Sequence, residues 1–287
     1  MFGLNKNLIR MDRFVGAGAS GEVYEYGEDS KYVVKRIIAN NVDEFISIIP
    51  EVVLGFSCNH PSFLKLKGFR IEREKKLFII YIRFPKMKET LRKKLDEKKQ
   101  IKEKYTLEEI IRNFHVLASV IEYLHHKSIY HRDIKPENIL LDDNDNPVIA
   151  DIGAGKFVPE EELDSKVSKM LGTVNYSAPE IIESNAELTN RDLQLADAWS
   201  LGMVMAEMCL IGHERDPSIT KQGDKKEYYE DDFEEIEKRY GNILAMIIRG
   251  LLKYNLSERK TVHETRKQLE SHFFNILVKM GLGEDYL

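Results

Sequence analysis

Up to about residue 85 the apolar positions come in short, β-branched runs at residues 14–15, 23–26, 32–37, 64–71 and 77–82, separated by Gly, Asp, Asn and Lys. That spacing predicts strands joined by tight turns. One interval breaks it, and residues 42–57 predict a helix. From Leu107 the period changes. Leu107, Ile110, Ile111, Phe114, Leu117, Ala118, Ile121 and Leu124 recur at three- and four-residue steps, the stripe of a helix with one buried face. Further helices are expected near residues 192–209, 232–239, 243–252 and 262–269. The polar, acidic residues 212–232 read as an exposed connection. A small β-rich part therefore precedes a larger helical part, joined near residues 83–88, with no internal repeat and no low-complexity linker.

Composition narrows the classes. A chain of 287 residues, 43% hydrophobic and 32% charged, is an ordinary globular protein large enough for two lobes that share a cleft. A formal net charge of −5 supplies no basic excess to neutralise phosphate backbones or anionic lipid, so neither nucleic acid nor a membrane surface is expected as a partner. The lysine-rich residues 86–104 read as a solvated helix face or loop. Cys58 and Cys209 lack metal-ligand spacing and read as free thiols of a reducing compartment. Residues 1–10 lack a signal-peptide core, and no run reaches membrane-span length, so cytoplasm or nucleus is expected.

Three blocks carry candidate chemistry. Gly16-Ala17-Gly18-Ala19-Ser20-Gly21-Glu22-Val23 lets a hairpin lie flat, so that its amides approach phosphate oxygens; alone, the pattern is equally a tight turn. The strand that follows disfavours a dinucleotide site, which would need a helix there. Tyr32-Val33-Val34-Lys35 ends a neighbouring strand on a lysine, which would lie under those phosphates. His131-Arg132-Asp133-Ile134-Lys135-Pro136-Glu137-Asn138 is followed, beyond a turn at residues 142–146, by Asp151-Ile152-Gly153. These are the groups phosphoryl transfer needs: a carboxylate to orient a hydroxyl, an ammonium for the γ-phosphate, and an Asn and an Asp as hard oxygen ligands for Mg²⁺.

With these blocks, and with Gly172-Thr173-Val174-Asn175-Tyr176-Ser177-Ala178-Pro179-Glu180, Asp197-Ala198-Trp199-Ser200-Leu201-Gly202 and Arg259, the chain resembles the eukaryotic protein kinase domain from about Phe14 to Phe274. The resemblance implies an α+β, two-lobed protein kinase fold. A small antiparallel sheet with one main helix (residues 14–84) follows an extension (1–13). A larger, mainly helical lobe (85–274) precedes a tail (275–287). It implies ATP and Mg²⁺ as cofactors and protein substrates as partners. Lys135 and the Gly172-Thr173 pair resemble the serine/threonine branch. An ATP-binding scaffold without turnover and a small-molecule kinase of related fold are the alternatives.

By the same resemblance, Lys35 would pair the α/β-phosphates and Glu51, while Asp133 would orient the substrate hydroxyl. Lys135 would meet the γ-phosphate, and Asn138 and Asp151 would bind magnesium. Asp197 would anchor the catalytic loop, and Glu180 would pair with Arg259. Adenine would lie between Val23, Val33 and Leu140, against the backbone near Ile82 and Phe84, with Tyr81 as gatekeeper. Four departures from the family stand out: Ile152 for the usual Phe, Val33 for Ala, Pro50 beside Glu51, and Gly55 where a large apolar side chain is usual. Pro50 requires the helix to start there or to kink. With Gly55, it implies that the Lys35–Glu51 pair depends on an activating partner. Glu137 leads to an expected mild preference for Arg or Lys before the acceptor. Arg132 leads to activation by an upstream kinase at Ser168 or Ser165, with Thr173 on the substrate platform.

Overall fold

In the computed structural model the described residues are 3–18, 21–151, 156–157, 175–183, 188–213 and 225–282. Five strands form an antiparallel sheet in the order β1-β2-β3-β5-β4: β1 (Ile9–Gly18), β2 (Gly21–Tyr26), β3 (Tyr32–Ala39), β4 (Gly68–Glu74) and β5 (Leu77–Pro85). Strand β1 starts ahead of Phe14, and the short segment before it straps across the outer sheet face. There Leu4 is buried with Tyr24, Tyr26, Val34, Ile79 and Tyr81, and the Asn5 amide donates to the Tyr26 hydroxyl at 3.2 Å.

The inner face carries α1 (Val42–Ser57). Asn41 caps it by accepting from the Glu44 amide at 2.8 Å. Its apolar side meets the sheet through Phe45, Ile48, Val52 and Phe56, with Phe45 stacked on Phe78 at 4.5 Å between ring centroids. The helix runs unbroken through Pro50, so it does not begin there: its start lies two turns earlier, at a proper cap. Proline cannot donate to the carbonyl four residues back. That carbonyl belongs to Ile46, an exposed residue, where water can replace the missing donor.

The large lobe is helical: α2 (Leu91–Ile101), α3 (Leu107–His126), α4 (Pro179–Glu183), α5 (Asn190–Cys209), α6 (Lys225–Tyr240), α7 (Asn242–Leu251) and α8 (Val262–Lys279). Its core is one continuous cluster built around α3 and α5. Helix α5 is buried on nearly every side, which explains its lack of a polar stripe. Helix α2 escapes the apolar-period reading because only Leu91, Leu95 and Lys98 are buried on it. The stretch expected to be an exposed connection instead enters α6 at Lys225, and its last residue, Asp232, is buried. A small sheet in the order β6-β8-β9 joins β6 (Glu89–Thr90), β8 (Ile139–Leu141) and β9 (Pro147–Ile149). Strand β7 (Ile129–Tyr130) pairs with β10 (Lys156–Phe157).

The segment after α1 ties the two lobes together. The Leu64 amide donates to the Ile149 carbonyl and the Ile149 amide to the Ser62 carbonyl, both at 2.9 Å. Leu54, Cys58 and Phe63 are buried within the large-lobe core. The Asn59 amide donates to the Tyr123 hydroxyl at 2.7 Å. The C-terminal end of α1 is therefore seated on the large lobe.

Candidate active site

Register fixes which side chains of the small sheet face the cleft. Directly opposed residues of neighbouring strands share a face, and successive residues alternate. Lys35 lies opposite Val23 on β2 and opposite Ile82 on β5, and Val33 lies opposite Phe84. Val23, Val33, Lys35, Ile82 and Phe84 therefore share the inner face. Tyr81 lies opposite Arg36 and is buried in the outer cluster, with the Lys6 ammonium 5.6 Å from its ring centroid. The gatekeeper assignment of Tyr81 is thus corrected by the parity of β5: the inner-face residue at this point is Ile82.

In the glycine-rich turn, Ala19 and Ser20 lie outside the described residues. Gly16 and Ala17 belong to β1, as does Gly18. A Cβ added at Gly16 would meet nothing within 4 Å among the described residues. Gly21 differs. Its φ is +139°, and a Cβ would stand 2.5 Å from the Arg36 carbonyl oxygen, so only glycine fits.

Glu51 on α1 reaches Lys35, with Nζ to Oε1 at 2.8 Å, and Asp151 Oδ1 stands 3.6 Å from the same ammonium. Burial pushes the Glu51 carboxyl up from its usual value; Lys35 opposes that shift and Asp151 adds to it. Gly55 contributes by letting Leu66 approach. A Cβ at Gly55 would stand 3.3 Å from Leu66 Cβ, and the Leu66 amide donates to the Gly55 carbonyl at 3.2 Å. Leu66, fully buried against Val52, Ile37 and Ile80, fills the volume that a larger residue at 55 would claim.

The second cluster stands on the turn between β7 and β8. Asp133 Oδ2 accepts from Lys135 Nζ at 2.7 Å and from Asn138 Nδ2 at 2.9 Å, and Asn138 Nδ2 also donates to the Asp133 carbonyl at 2.8 Å. The Ala150 amide donates to the Asn138 carbonyl at 2.9 Å, which holds Asp151 beside Asn138. Ile139 is buried in the large-lobe core and Leu141 is buried as well, leaving Leu140 between them half-buried.

Asp197, in the middle of α5 and 1% exposed, supports the turn from below. It accepts from the His131 and Arg132 amides at 2.8 Å each and from His125 Nε2 at 2.9 Å. Burial works to raise its pKa, but those bonds prevail and hold the carboxyl below its ordinary value. Arg132 adopts φ +66° and Asp151 φ +62°. For residues other than glycine each conformation costs ~1–2 kcal/mol, which the bonds around them offset. Below, Arg259 meets Glu180 in a two-pronged pair at 2.6 and 2.9 Å, fully buried, with its guanidinium 4.9 Å from the Trp199 ring.

Sequence reasoning missed His125 as a partner of Asp197, because the two stand on different helices. It also missed a cluster at the front of the catalytic turn, where Arg92 of α2 joins Glu137, Glu207 and Tyr176. Arg92 belongs to the lysine-rich run, in which Lys86 also pairs with Glu25 and Lys88 with Asp145, both at 2.6 Å. Ile152, Ser165, Ser168 and Thr173 lie outside the described residues.

The family model described as "Protein kinase domain" matches residues 9–274. The chain is 31% identical over 205 residues to the Probable L-type lectin-domain containing receptor kinase V.3 of Arabidopsis thaliana, covering 68% of this chain and 29% of that protein. It is 30% identical over 203 residues to the Probable CTD kinase subunit alpha homolog of Encephalitozoon cuniculi, covering 70% of this chain and 56% of that protein. It is 28% identical over 212 residues to CBL-interacting protein kinase 26 of Oryza sativa subsp. japonica, covering 70% of this chain and 41% of that protein. The chain thus spans less than two thirds of the length of each.

Proposed function

The chain belongs to the protein kinase domain family, and on that premise we propose that it transfers the γ-phosphate of ATP to serine and threonine hydroxyls of protein substrates. One observation carries this reading. Lys35, Glu51 and Asp151 meet in one cluster, and Asp133, Lys135 and Asn138 in a second joined to it through the Ala150–Asn138 bond, with none of the six replaced. An ATP-binding scaffold without turnover has no need of the Asp133–Lys135 pair.

Adenine fits the apolar inner face formed by Val23, Val33 and Ile82, with Leu140 below. Lys35, held by Glu51, meets the phosphates as a fixed cation, and Lys135 neutralises charge beside the acceptor. Asp133 orients the incoming hydroxyl. Catalysis by this set is positioning and electrostatic stabilisation, with no covalent step on the protein. The donor set fits magnesium: Asp151 offers a carboxylate, and Asn138, donating through Nδ2 to Asp133, turns its amide oxygen outward as a hard ligand. Among the described residues there is no group of three or more His, Cys, Asp or Glu that could hold a metal ion. When bound, magnesium supplies charge neutralisation at the phosphate oxygens.

Regulation belongs to the same reading. Arg132 directly precedes Asp133, and phosphorylation of Ser168 or Ser165 by an upstream kinase would bring a phosphate against it and order that segment. Among the described residues no helix is long and apolar enough to cross a membrane. The test is transfer of labelled γ-phosphate to peptides and to a mixture of proteins, followed by phosphoamino-acid analysis. Phosphoserine and phosphothreonine support the reading, and label on tyrosine alone would refute its serine/threonine part.

A further inference from the structure

Beside the catalytic turn lies a carboxylate pair that an internal cation occupies. Glu137 stands between Lys135 and Asn138, the two residues that hold Asp133. Glu207 projects from the last turns of α5. Arg92, on the first turn of α2, bridges them. Its Nε donates to Glu137 at 2.9 Å, and its Nη1 to Glu207 at 2.7 Å. Its Nη2 donates to the second Glu207 oxygen at 3.2 Å and to the Tyr176 hydroxyl. Tyr176 in turn donates to Glu207 at 2.6 Å, and its carbonyl accepts from Ser200 of α5 at 2.8 Å. All three guanidinium nitrogens are engaged. Next to it Lys93 stands 3.5 Å from Glu89, so α2 supplies a cation to that carboxylate as well.

We propose that Arg92 sets substrate specificity by filling the Glu137–Glu207 pair, so that the enzyme gives no reward for arginine or lysine beside the acceptor. The inference rests on the kinase reading and replaces the basic preference expected from Glu137 alone. A peptide residue held at Asp133 brings its neighbours past Glu137, since each extended residue spans only ~3.3–3.6 Å. An incoming guanidinium there must displace one that is already bidentate and tethered, and a short tether acts like a millimolar competitor. Glu207 is only 12% exposed and Glu137 45%, so the buried half of the site, where an ion pair is strongest, is the half Arg92 holds most fully.

The test uses the whole chain and peptides whose acceptor is alanine, so that binding, read by fluorescence anisotropy, is separate from turnover. Arginine or alanine is placed in turn at three positions on either side of the acceptor site. For the unmodified protein the two peptide series should bind within about twofold of each other. Arg92→Gln should favour arginine at one position by about tenfold, Arg92→Lys should be intermediate, and Arg92→Gln with Glu207→Gln should lose the gain. The proposal is overturned if the unmodified chain favours arginine more than about threefold, if no variant binds peptide, or if folded Arg92→Gln gains nothing. Should Arg92→Gln fail to fold, the unmodified chain and Arg92→Lys decide. The expected binding pattern with no phosphate transfer would refute the kinase reading alone, whereas transfer with a basic preference in the unmodified chain would refute this proposal alone.

Discussion

Replacing Asp197 by asparagine should be strongly damaging for an isosteric change. The carboxylate is buried and accepts three hydrogen bonds, Oδ2 from the His131 amide and His125 and Oδ1 from the Arg132 amide. Asparagine keeps one acceptor oxygen, and its amide nitrogen must then face a backbone N–H. One bond to a charged group, worth ~1.5–3 kcal/mol, is lost, and an orphaned buried donor adds ~1–3 kcal/mol. The expected cost is ~3–5 kcal/mol, a large share of a typical domain's ~5–15 kcal/mol. If the bond to Arg132 is the one lost, the left-handed turn at φ +66° loses its tether and Asp133 drifts. Urea denaturation followed by circular dichroism measures the first effect, and transfer kinetics the second. The pH dependence follows from the sign of the shift. A carboxyl whose folded pKa is lowered gives stability fully present above its unfolded value near 3.8 and lost as pH falls through the still lower folded value. The gap between wild type and variant should be flat from pH 5 to 8 and close only below about pH 4. A variant within about 1 kcal/mol of wild type at pH 7 would refute this role of Asp197.

Lys35→Met and Asp151→Asn should each lower transfer by far more than tenfold, a factor worth only ~1.4 kcal/mol of barrier; retention of a tenth of the rate would show the role misassigned. Gly55→Leu should destabilise by ~1–3 kcal/mol through overpacking against Leu66, and adding Leu66→Ala should restore part of the loss; denaturation midpoints without that compensation would refute the packing account. Arg259→Ala should cost ~3–5 kcal/mol, because Glu180 is left as a buried, unpaired charge; a melting temperature within a few degrees of wild type would refute it. Because burial raises the Glu51 carboxyl, the Lys35–Glu51 pair should be lost as pH falls at a higher pH than for an ordinary carboxylate; that acid limb of the rate profile should vanish in Glu51→Gln.

The sheet and the catalytic turn were legible because their signals are local. Alternation in residues 23–37 and the run from His131 to Asn138 need no knowledge of distant partners. Helix α2 was not legible, since a helix held by Leu91 and Leu95 with a lysine-rich outer side carries little apolar period. Tyr81 was misplaced for a related reason. In the continuous apolar run of β5 both faces are buried, one under the strap at Leu4 and one under α1, so alternation gives no cue to which residue faces the cleft. Pro50 and Gly55 looked like defects in sequence. They are tolerated because Ile46 is exposed beside the first and Leu66 supplies the bulk missing at the second, facts that only tertiary contacts reveal. Arg92 shows the same limit: its hydrogen-bond partners Glu137, Tyr176 and Glu207 are scattered along the chain.

The most direct measurement compares the purified chain with Asp133→Asn in the presence of ATP, with and without magnesium, following both nucleotide binding and phosphate incorporated into protein. The expected result is binding by both proteins, with magnesium-dependent incorporation by the wild type alone. Equal binding with no incorporation by either protein, after phosphorylation at Ser165 and Ser168 has been verified, would contradict the assignment of a phosphotransferase and leave an ATP-binding scaffold in its place.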